Sequence, residues 1–175
     1  EPEEIIKDID EDIDIVIGGP PCKDFSNANQ VIDLGRNNLV ILFSKFVSEI
    51  QPTAFVIENV RQLTTKYSDV LDDVYENLNP EYNISHKLLD SADYGVPQHR
   101  IRAFVIGIKE DDMLYDQPMF PKPTHGPDSD TDNKIVTSGK AISDIKDPEN
   151  KSKYEIKSKH SDLINDIPPG MNYSF

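Results

Sequence analysis

Three short apolar runs recur along the chain, "DIVIGG" at 14–19, "TAFVIENV" at 53–60 and "RAFVIGIK" at 102–109, each rich in β-branched and aromatic residues. Continuous runs of this length predict strands buried on both faces, because a strand with one wet face would alternate with polar residues. Asp14 to Gly18 is accordingly expected to be a fully buried strand, ended by Gly18 and Gly19. Between the first two runs, "LVILFSKFVSEI" is apolar at helical spacing, which predicts a helix with Leu39, Leu42, Phe43, Phe46, Val47 and Ile50 on one face. Pro52 stops it, since the residue before a proline is steered away from helical geometry. A second helix is expected over "KYSDVLDDVYENL" and a further strand over "NISHKLLDS". Strands alternating with helical patterns predict an α/β layered sheet.

From Asp111 the texture changes. Prolines at 118, 121, 123 and 127 and the acidic "GPDSDTDN" predict irregular surface chain. A short helix is expected to begin near Ser138, and "NDIPPGMNYSF" forms a proline-glycine turn. Residues 1–110 therefore form the core portion, and 111–175 an irregular extension that packs on the sheet. No internal repeat is present.

The 175 residues suit one domain, and the single cysteine excludes an internal disulfide. With no apolar run of about 18 residues, no membrane span is expected, and a reducing, cytoplasmic setting follows. The net charge of −14 opposes a polyanionic partner over the whole surface. If nucleic acid is the substrate, its basic contacts must be local or supplied elsewhere.

Three polar clusters sit at strand ends: Cys22 after the first, Glu58 in the second, and "QHRIR" at the start of the last. Ligands of open α/β sheets bind in the crevice beyond the carboxyl ends of parallel strands, so Cys22 and Glu58 are expected to face one cleft. Arg100 and Arg102 reach the same edge only if their strand runs antiparallel. Each cluster also has a bland account. A lone cysteine is commonly a small buried hydrophobe, a glutamate at a strand end is commonly solvated, and alternating arginines can simply pair with carboxylates. Position favours function for Cys22, because two glycines permit a sharp turn and Pro20 and Pro21 then fix φ and stiffen the loop.

"GGPPCKDFS", "IENV" and "DYGVPQHRIRAFVIG", in this order and spacing, resemble the motifs of the cytosine-5 DNA methyltransferase family, and "DLGRNNL", "FPKPTHG", "GKAISDI" and "IPPGMNY" extend the likeness from about Asp14 to the end. The resemblance implies a portion of the Rossmann-like, S-adenosylmethionine-dependent methyltransferase sheet, mostly parallel with an antiparallel last strand. It implies that Cys22 is the nucleophile that adds to carbon 6 of cytosine, making carbon 5 able to attack a methyl group. Glu58 would protonate or hydrogen-bond N3. Arg102 would support the exocyclic oxygen and orient the glutamate, with Arg100 and Gln98 beside it. Ser26 and Gln98 would meet substrate, and Pro21 and Leu39 the cofactor, S-adenosylmethionine. No metal is implied. Because a free thiol of pKa about 8.5 is little ionised at neutral pH, nearby cationic groups such as the arginines would help form the thiolate. The implied partner is double-stranded DNA, whose target base the family flips into the pocket.

Two departures from the family pattern stand out. Lys23 and Asp24 replace the usual Gln-Gly after the cysteine, removing glycine freedom and placing an acid near the phosphate path. No Phe-x-Gly-x-Gly stretch precedes Asp14, so most of the cofactor contacts are expected on an N-terminal segment or a complementary subunit. Without it the first strand would be an apolar edge, prone to instability or association. The expected activity is DNA cytosine-5 methylation of the prokaryotic restriction-modification type. The alternatives are the tRNA-methylating branch, which shares these motifs, a non-catalytic relative or subunit that keeps the fold for binding, and a plain α/β interaction domain.

Overall fold

A computed structural model of the chain describes residues 6–7, 12–21, 38–112, 117–146 and 166. Two compact units divide it, Glu1–Lys140 and Ala141–Phe175. In the second, residues 141–146 and 166 are described, and the Ile145 amide donates to the Ile142 carbonyl at 3.0 Å.

The first unit is built on four strands, β1 (Ile15–Gly18), β2 (Ala54–Val60), β3 (Tyr82–Asp90) and β4 (Ile101–Lys109), arranged in the order β1-β2-β4-β3. β1 pairs with β2 in parallel, Ile15 opposite Ala54. β4 runs antiparallel to both of its neighbours, with Glu58 opposite Phe104 and Asp90 opposite Ile101. β1, β2 and β3 thus point one way and β4 the other, which is the mostly parallel sheet with an antiparallel last strand. Two helices cover one face, α1 (Leu39–Ile50) and α2 (Ser68–Leu78), and a short α3 (Ser138–Ile142) follows later.

α1 starts where Asn38 accepts the Val40 amide on its side-chain oxygen at 2.9 Å, satisfying one of the donors a helix N-terminus leaves free. It stops at Gln51, whose φ of 55° is left-handed and turns the chain before Pro52. The buried stripe is Val40, Ile41, Ser44 and Val47, which corrects the expected face. Leu39 is 41% exposed, and Leu42, Phe43, Phe46 and Ile50 are only partly buried. This helix is apolar nearly all round, so periodicity alone could not fix its rotation. Buried Ser44 is accommodated because its hydroxyl donates to the Ile41 carbonyl at 2.8 Å and accepts from the Asn77 amide of α2 at 2.8 Å. α2 contributes Val70, Leu71, Val74 and Leu78 to the same core.

The core lies between these helices and the inward residues of the strands, Phe55, Ile57, Ala103 and Val105. Full burial of an aliphatic or aromatic side chain is worth about 1.5–3 kcal/mol. Phe55 meets Tyr82 edge-on at 5.3 Å between ring centroids, and the Tyr82 hydroxyl donates to the Pro52 carbonyl at 2.7 Å, tying β3 to the start of β2.

β1 is not fully buried, contrary to expectation. It is the sheet edge, and Ile15 and Ile17 are 57% and 74% exposed. Its other face packs: Val16 joins the core, and a Cβ on Gly18 would stand 2.2 Å from the Phe43 ring. A continuous apolar run is therefore compatible with a strand covered on one face only. Beyond β4, the first unit continues through residues 117–137. The Asp93 carbonyl accepts the Thr124 and His125 amides at 2.8 and 2.9 Å, and the Tyr94 hydroxyl donates to the Pro121 carbonyl at 2.9 Å. Among the described residues no helix is long and apolar enough to cross a membrane.

Candidate active site

Successive side chains of a strand point to opposite faces, and in β2 this parts structure from chemistry. Phe55, Ile57 and Asn59 are buried, while Val56, Glu58 and Val60 lie toward the opposite, partly open face. On β4, Ala103, Val105 and Gly107 are buried, while Arg102, Phe104 and Ile106 share the open face with Glu58. Because β4 is antiparallel, its first residues lie beside the last residues of β2, the condition needed for the arginines to reach the Glu58 edge. Arg102 is opposite Val60, the second residue after Glu58.

The result is an ion pair. Arg102 Nε stands 3.2 Å from Glu58 Oε1, the two side chains being 23% and 40% exposed. The guanidinium is held from its other side, where Nη1 donates to the Ile101 carbonyl at 2.9 Å. Glu58 also approaches the loop after β1: a Cβ on Gly19 would lie 3.3 Å from Glu58 Oε2. Asn59 reaches the same loop from the buried side, its amide donating to the Pro20 carbonyl at 3.1 Å while its oxygen accepts the Val60 amide at 2.8 Å. Adjacent residues of one strand thus touch consecutive residues of the glycine-proline loop.

Beside the pair opens a cavity of about 460 Å³ whose lining includes Glu58, Arg100 and Arg102. Leu89, Phe104, Ile106 and Phe120 are among its apolar walls. A few charged groups in a largely apolar recess is the composition of a small-molecule pocket.

The turn between β3 and β4 presents the arginines. Ser91–Tyr94 forms a single 3₁₀ turn ended by Gly95 at φ 84°, a conformation that favours glycine. His125 closes over Gly95, 2.7 Å from where a Cβ would stand. Ser91 binds the returning chain twice, its hydroxyl donating to the Gln98 carbonyl at 2.8 Å and its amide to the Arg100 carbonyl at 3.3 Å. Asp90 completes the turn: Oδ1 accepts the Ala92 and Arg100 amides at 3.2 and 2.8 Å, and Oδ2 pairs with His99 Nδ1 at 2.8 Å. The His99 hydrogen bond is the main reason the Asp90 carboxyl sits below its ordinary range, helped by the two backbone amides. The same bond and charge raise His99 above its ordinary value.

Of the residues singled out by sequence, Glu58, Arg100 and Arg102 meet at one cavity. Gln98 is exposed in the turn that leads to it, held through its backbone. Pro21 is exposed just after the loop residues that touch Glu58 and Asn59, and Leu39 is exposed as the first residue of α1. Cys22 and Ser26 lie outside the described residues. Sequence reasoning missed the Asp90–His99 pair and the Phe120 wall. Asp90 had a legible signal: an aspartate two residues before an amide it can cap, at the head of "DSADYG". Phe120 had no periodic signal, coming from a proline-rich stretch, although it opens the "FPKPTHG" that carries part of the resemblance.

Comparison with known proteins identifies the family. The family model described as C-5 cytosine-specific DNA methylase matches residues 2–172. The type II methyltransferase M.XorII of Xanthomonas oryzae pv. oryzae is 40% identical over 143 residues, 79% of this chain and 31% of that protein. M.SacI of Streptomyces achromogenes, also a type II methyltransferase, is 32% identical over 174 residues, 91% of this chain and 43% of that protein. A candidate DNA modification methyltransferase encoded within an E. coli prophage superposes with a TM-score of 0.60 at 31% identity, over 83% of this chain and 38% of that one. The chain spans less than half the length of each of these relatives. It belongs to the C-5 cytosine-specific DNA methylase family.

Proposed function

We propose that this chain carries the catalytic portion of a DNA (cytosine-5-)-methyltransferase of the prokaryotic restriction-modification type. The observation that carries the proposal is the Glu58–Arg102 pair, which lines a largely apolar cavity and lies against the loop that leads to Cys22. The match to the C-5 cytosine-specific DNA methylase family and the likeness to type II methyltransferases support the substrate class.

In this reading the flipped cytosine enters the cavity with its N3 edge toward Glu58. The Cys22 thiolate adds to carbon 6, its electron pair forming the sulfur–carbon bond while the ring electrons move toward carbon 5 and N3. Glu58 donates a proton or hydrogen bond to N3 as that charge grows. The Arg102 guanidinium has five donors in a fixed fork. One already holds Glu58, another holds the Ile101 carbonyl, and the remainder suit the exocyclic oxygen. S-adenosylmethionine, when bound, supplies an electrophilic methyl group for carbon 5. Loss of the carbon 5 proton to a base, return of any N3 proton to Glu58 and cleavage of the sulfur–carbon bond then restore the ring double bond, the Glu58 acid and the Cys22 thiolate. Pro21 and Leu39 present exposed apolar surface, which fits contact with the adenine or the thioether portion of the cofactor. Asn59, through its bond to the Pro20 carbonyl, holds the root of the nucleophile loop against β2.

Trapping tests this directly. The intact gene product, incubated with S-adenosylmethionine and a duplex carrying 5-fluorocytosine at its target, is expected to form a denaturation-resistant adduct, because fluorine at carbon 5 cannot leave as a proton does. Cys22→Ser should abolish it. An undiminished adduct in that variant would refute the assignment, and transfer to tRNA in preference to duplex DNA would replace the substrate.

A further inference from the structure

We infer that Asp90 is a positioning residue for the arginines of this site, acting as a clamp across the β3–β4 turn with His99 as its solvent-side partner. The inference rests on reading Glu58 and Arg102 as the groups that face the base.

The geometry is specific. Asp90 is the last residue of β3 and lies opposite Ile101, the first of β4. Its carboxylate takes three donors: the Ala92 amide at 3.2 Å, the Arg100 amide at 2.8 Å and His99 Nδ1 at 2.8 Å. One oxygen therefore fixes both the start of the 3₁₀ turn and the point where the chain re-enters the sheet as Arg100. Arg102 follows two residues later on the cavity side. A shift of the Arg100 backbone would move the Arg102 guanidinium off Glu58 Oε1, and a displacement of about 1 Å in a positioning group can lower turnover about a hundredfold.

A cap alone would need only the Ala92 amide. The Arg100 amide lies ten residues along the chain, and the pairing with His99 serves neither the turn's backbone nor the core. Its side chain is 76% exposed while that of Asp90 is 18% exposed, so the imidazole covers the outer side of a carboxylate whose other oxygen is engaged inside the turn. The charged groups acting on His99 are Asp90 and, more weakly, Asp93 of the same 3₁₀ turn. Both are acidic, and both favour the protonated, doubly donating imidazolium.

The test uses the intact gene product and the variants Asp90→Ala and Asp90→Asn. Asn keeps an oxygen for the two backbone amides and removes the charge facing His99. Asp90→Ala is expected to lower kcat for DNA methylation about ten- to a hundredfold, with KM for S-adenosylmethionine within about twofold, the pattern of lost transition-state alignment rather than lost binding. Asp90→Asn should recover most of that kcat and flatten its pH dependence between about pH 6 and 8, the range over which a histidine titrates. An Asp90→Ala variant with wild-type kcat would overturn the inference. If Asp90→Ala does not fold, Asp90→Asn decides, and unchanged kcat together with unchanged pH dependence would overturn it. A wild-type protein that methylates no DNA would refute the catalytic reading instead. The clamp is then judged by hydrogen exchange at the Arg100 amide, which should quicken in Asp90→Ala, and equal exchange would overturn it.

Discussion

The two faces of β2 and β4 are made by alternate residues of the same two strands, and they could hardly differ more. On the helix-covered face Phe55, Ile57, Ala103 and Val105 show no measurable exposure. One residue along, Glu58, Arg102, Phe104 and Ile106 border an open cavity. The difference teaches that the sheet is a rigid ruler. Packing on one face fixes the strands, and the two-residue period then sets the charged groups on the other to within the precision of the core. Glu58 and Arg102 project from a backbone anchored by fully buried Ile57 and Ala103, and the turn that leads into Arg102 is held by Asp90.

Breaking the covered face should cost the most. Phe55 is fully buried, meets Tyr82 edge-on and nearly touches the backbone of Gly107, where a Cβ would lie 2.1 Å from its ring. Phe55→Ala is expected to lower stability by about 3–5 kcal/mol, the usual cost of an aromatic cavity, measured as a shift of the urea midpoint. A shift under about 1 kcal/mol would mean that the sheet is held chiefly by other contacts. The mirror experiment is Glu58→Gln, one step from the core residue Ile57. It should leave stability within about 1 kcal/mol, as partly exposed ion pairs contribute little, and lower methyl transfer by about a hundredfold or more, since it removes the general acid. Equal losses of stability and activity in this variant would erase the division between the faces.

Asn59 sharpens the comparison because it belongs to both sides. It is 3% exposed, among the core residues, yet its amide holds the Pro20 carbonyl of the loop that leads to Cys22. Asn59→Ala leaves the Val60 amide and the Pro20 carbonyl without their partner, at a cost of about 1–3 kcal/mol. It should also slow adduct formation with 5-fluorocytosine DNA, although it touches no substrate. Loss of stability with an unaltered trapping rate would show that the loop is held elsewhere.

What could be foreseen from sequence follows the same division. The strands were legible because "AFVIENV" and "RAFVIGIK" are short continuous apolar runs, the second helix because "SDVLDDVYENL" carries a helical period, and the antiparallel last strand came with the family resemblance. From the residues themselves the meeting of Glu58 with Arg102 was legible only as a condition on strand direction, which the β2–β4 register meets, while the family resemblance implied it outright. The rotation of α1 was not, because Leu39, Leu42 and Phe46 are as apolar as Val40, Ile41 and Val47, and only the sheet and Asn77 choose between them. The apolar run by itself did not show the exposure of Ile15 and Ile17, because an edge strand and a central one can share the same composition; the edge position came with the resemblance. The Asp90 clamp escaped notice because polar residues were weighed as reagents, while here three donors converge on a carboxylate that holds reagents in place.

The smallest expected effect is diagnostic of the open side, because there a histidine pairs with the carboxylate that holds the turn. His99 is raised above its ordinary value of 6.5 by its hydrogen bond to Asp90 and the charge behind it. A raised folded value means that its stabilisation is fully present below pH 6.5 and fades as pH rises through the folded value. Asp90 is lowered from 3.8, first by His99 and then by the Ala92 and Arg100 amides, so its stabilisation is present above that pH and fades as pH falls through the folded value. The two overlap from roughly pH 4 to 6.5. The stability gap between wild type and Asp90→Asn should therefore be widest near pH 5 and narrow toward pH 8. The gap between wild type and Phe55→Ala should stay level over the same range, because nothing around that ring titrates there. A level gap for Asp90→Asn would show that the exposed pair contributes nothing to folding, and that only its two backbone bonds matter.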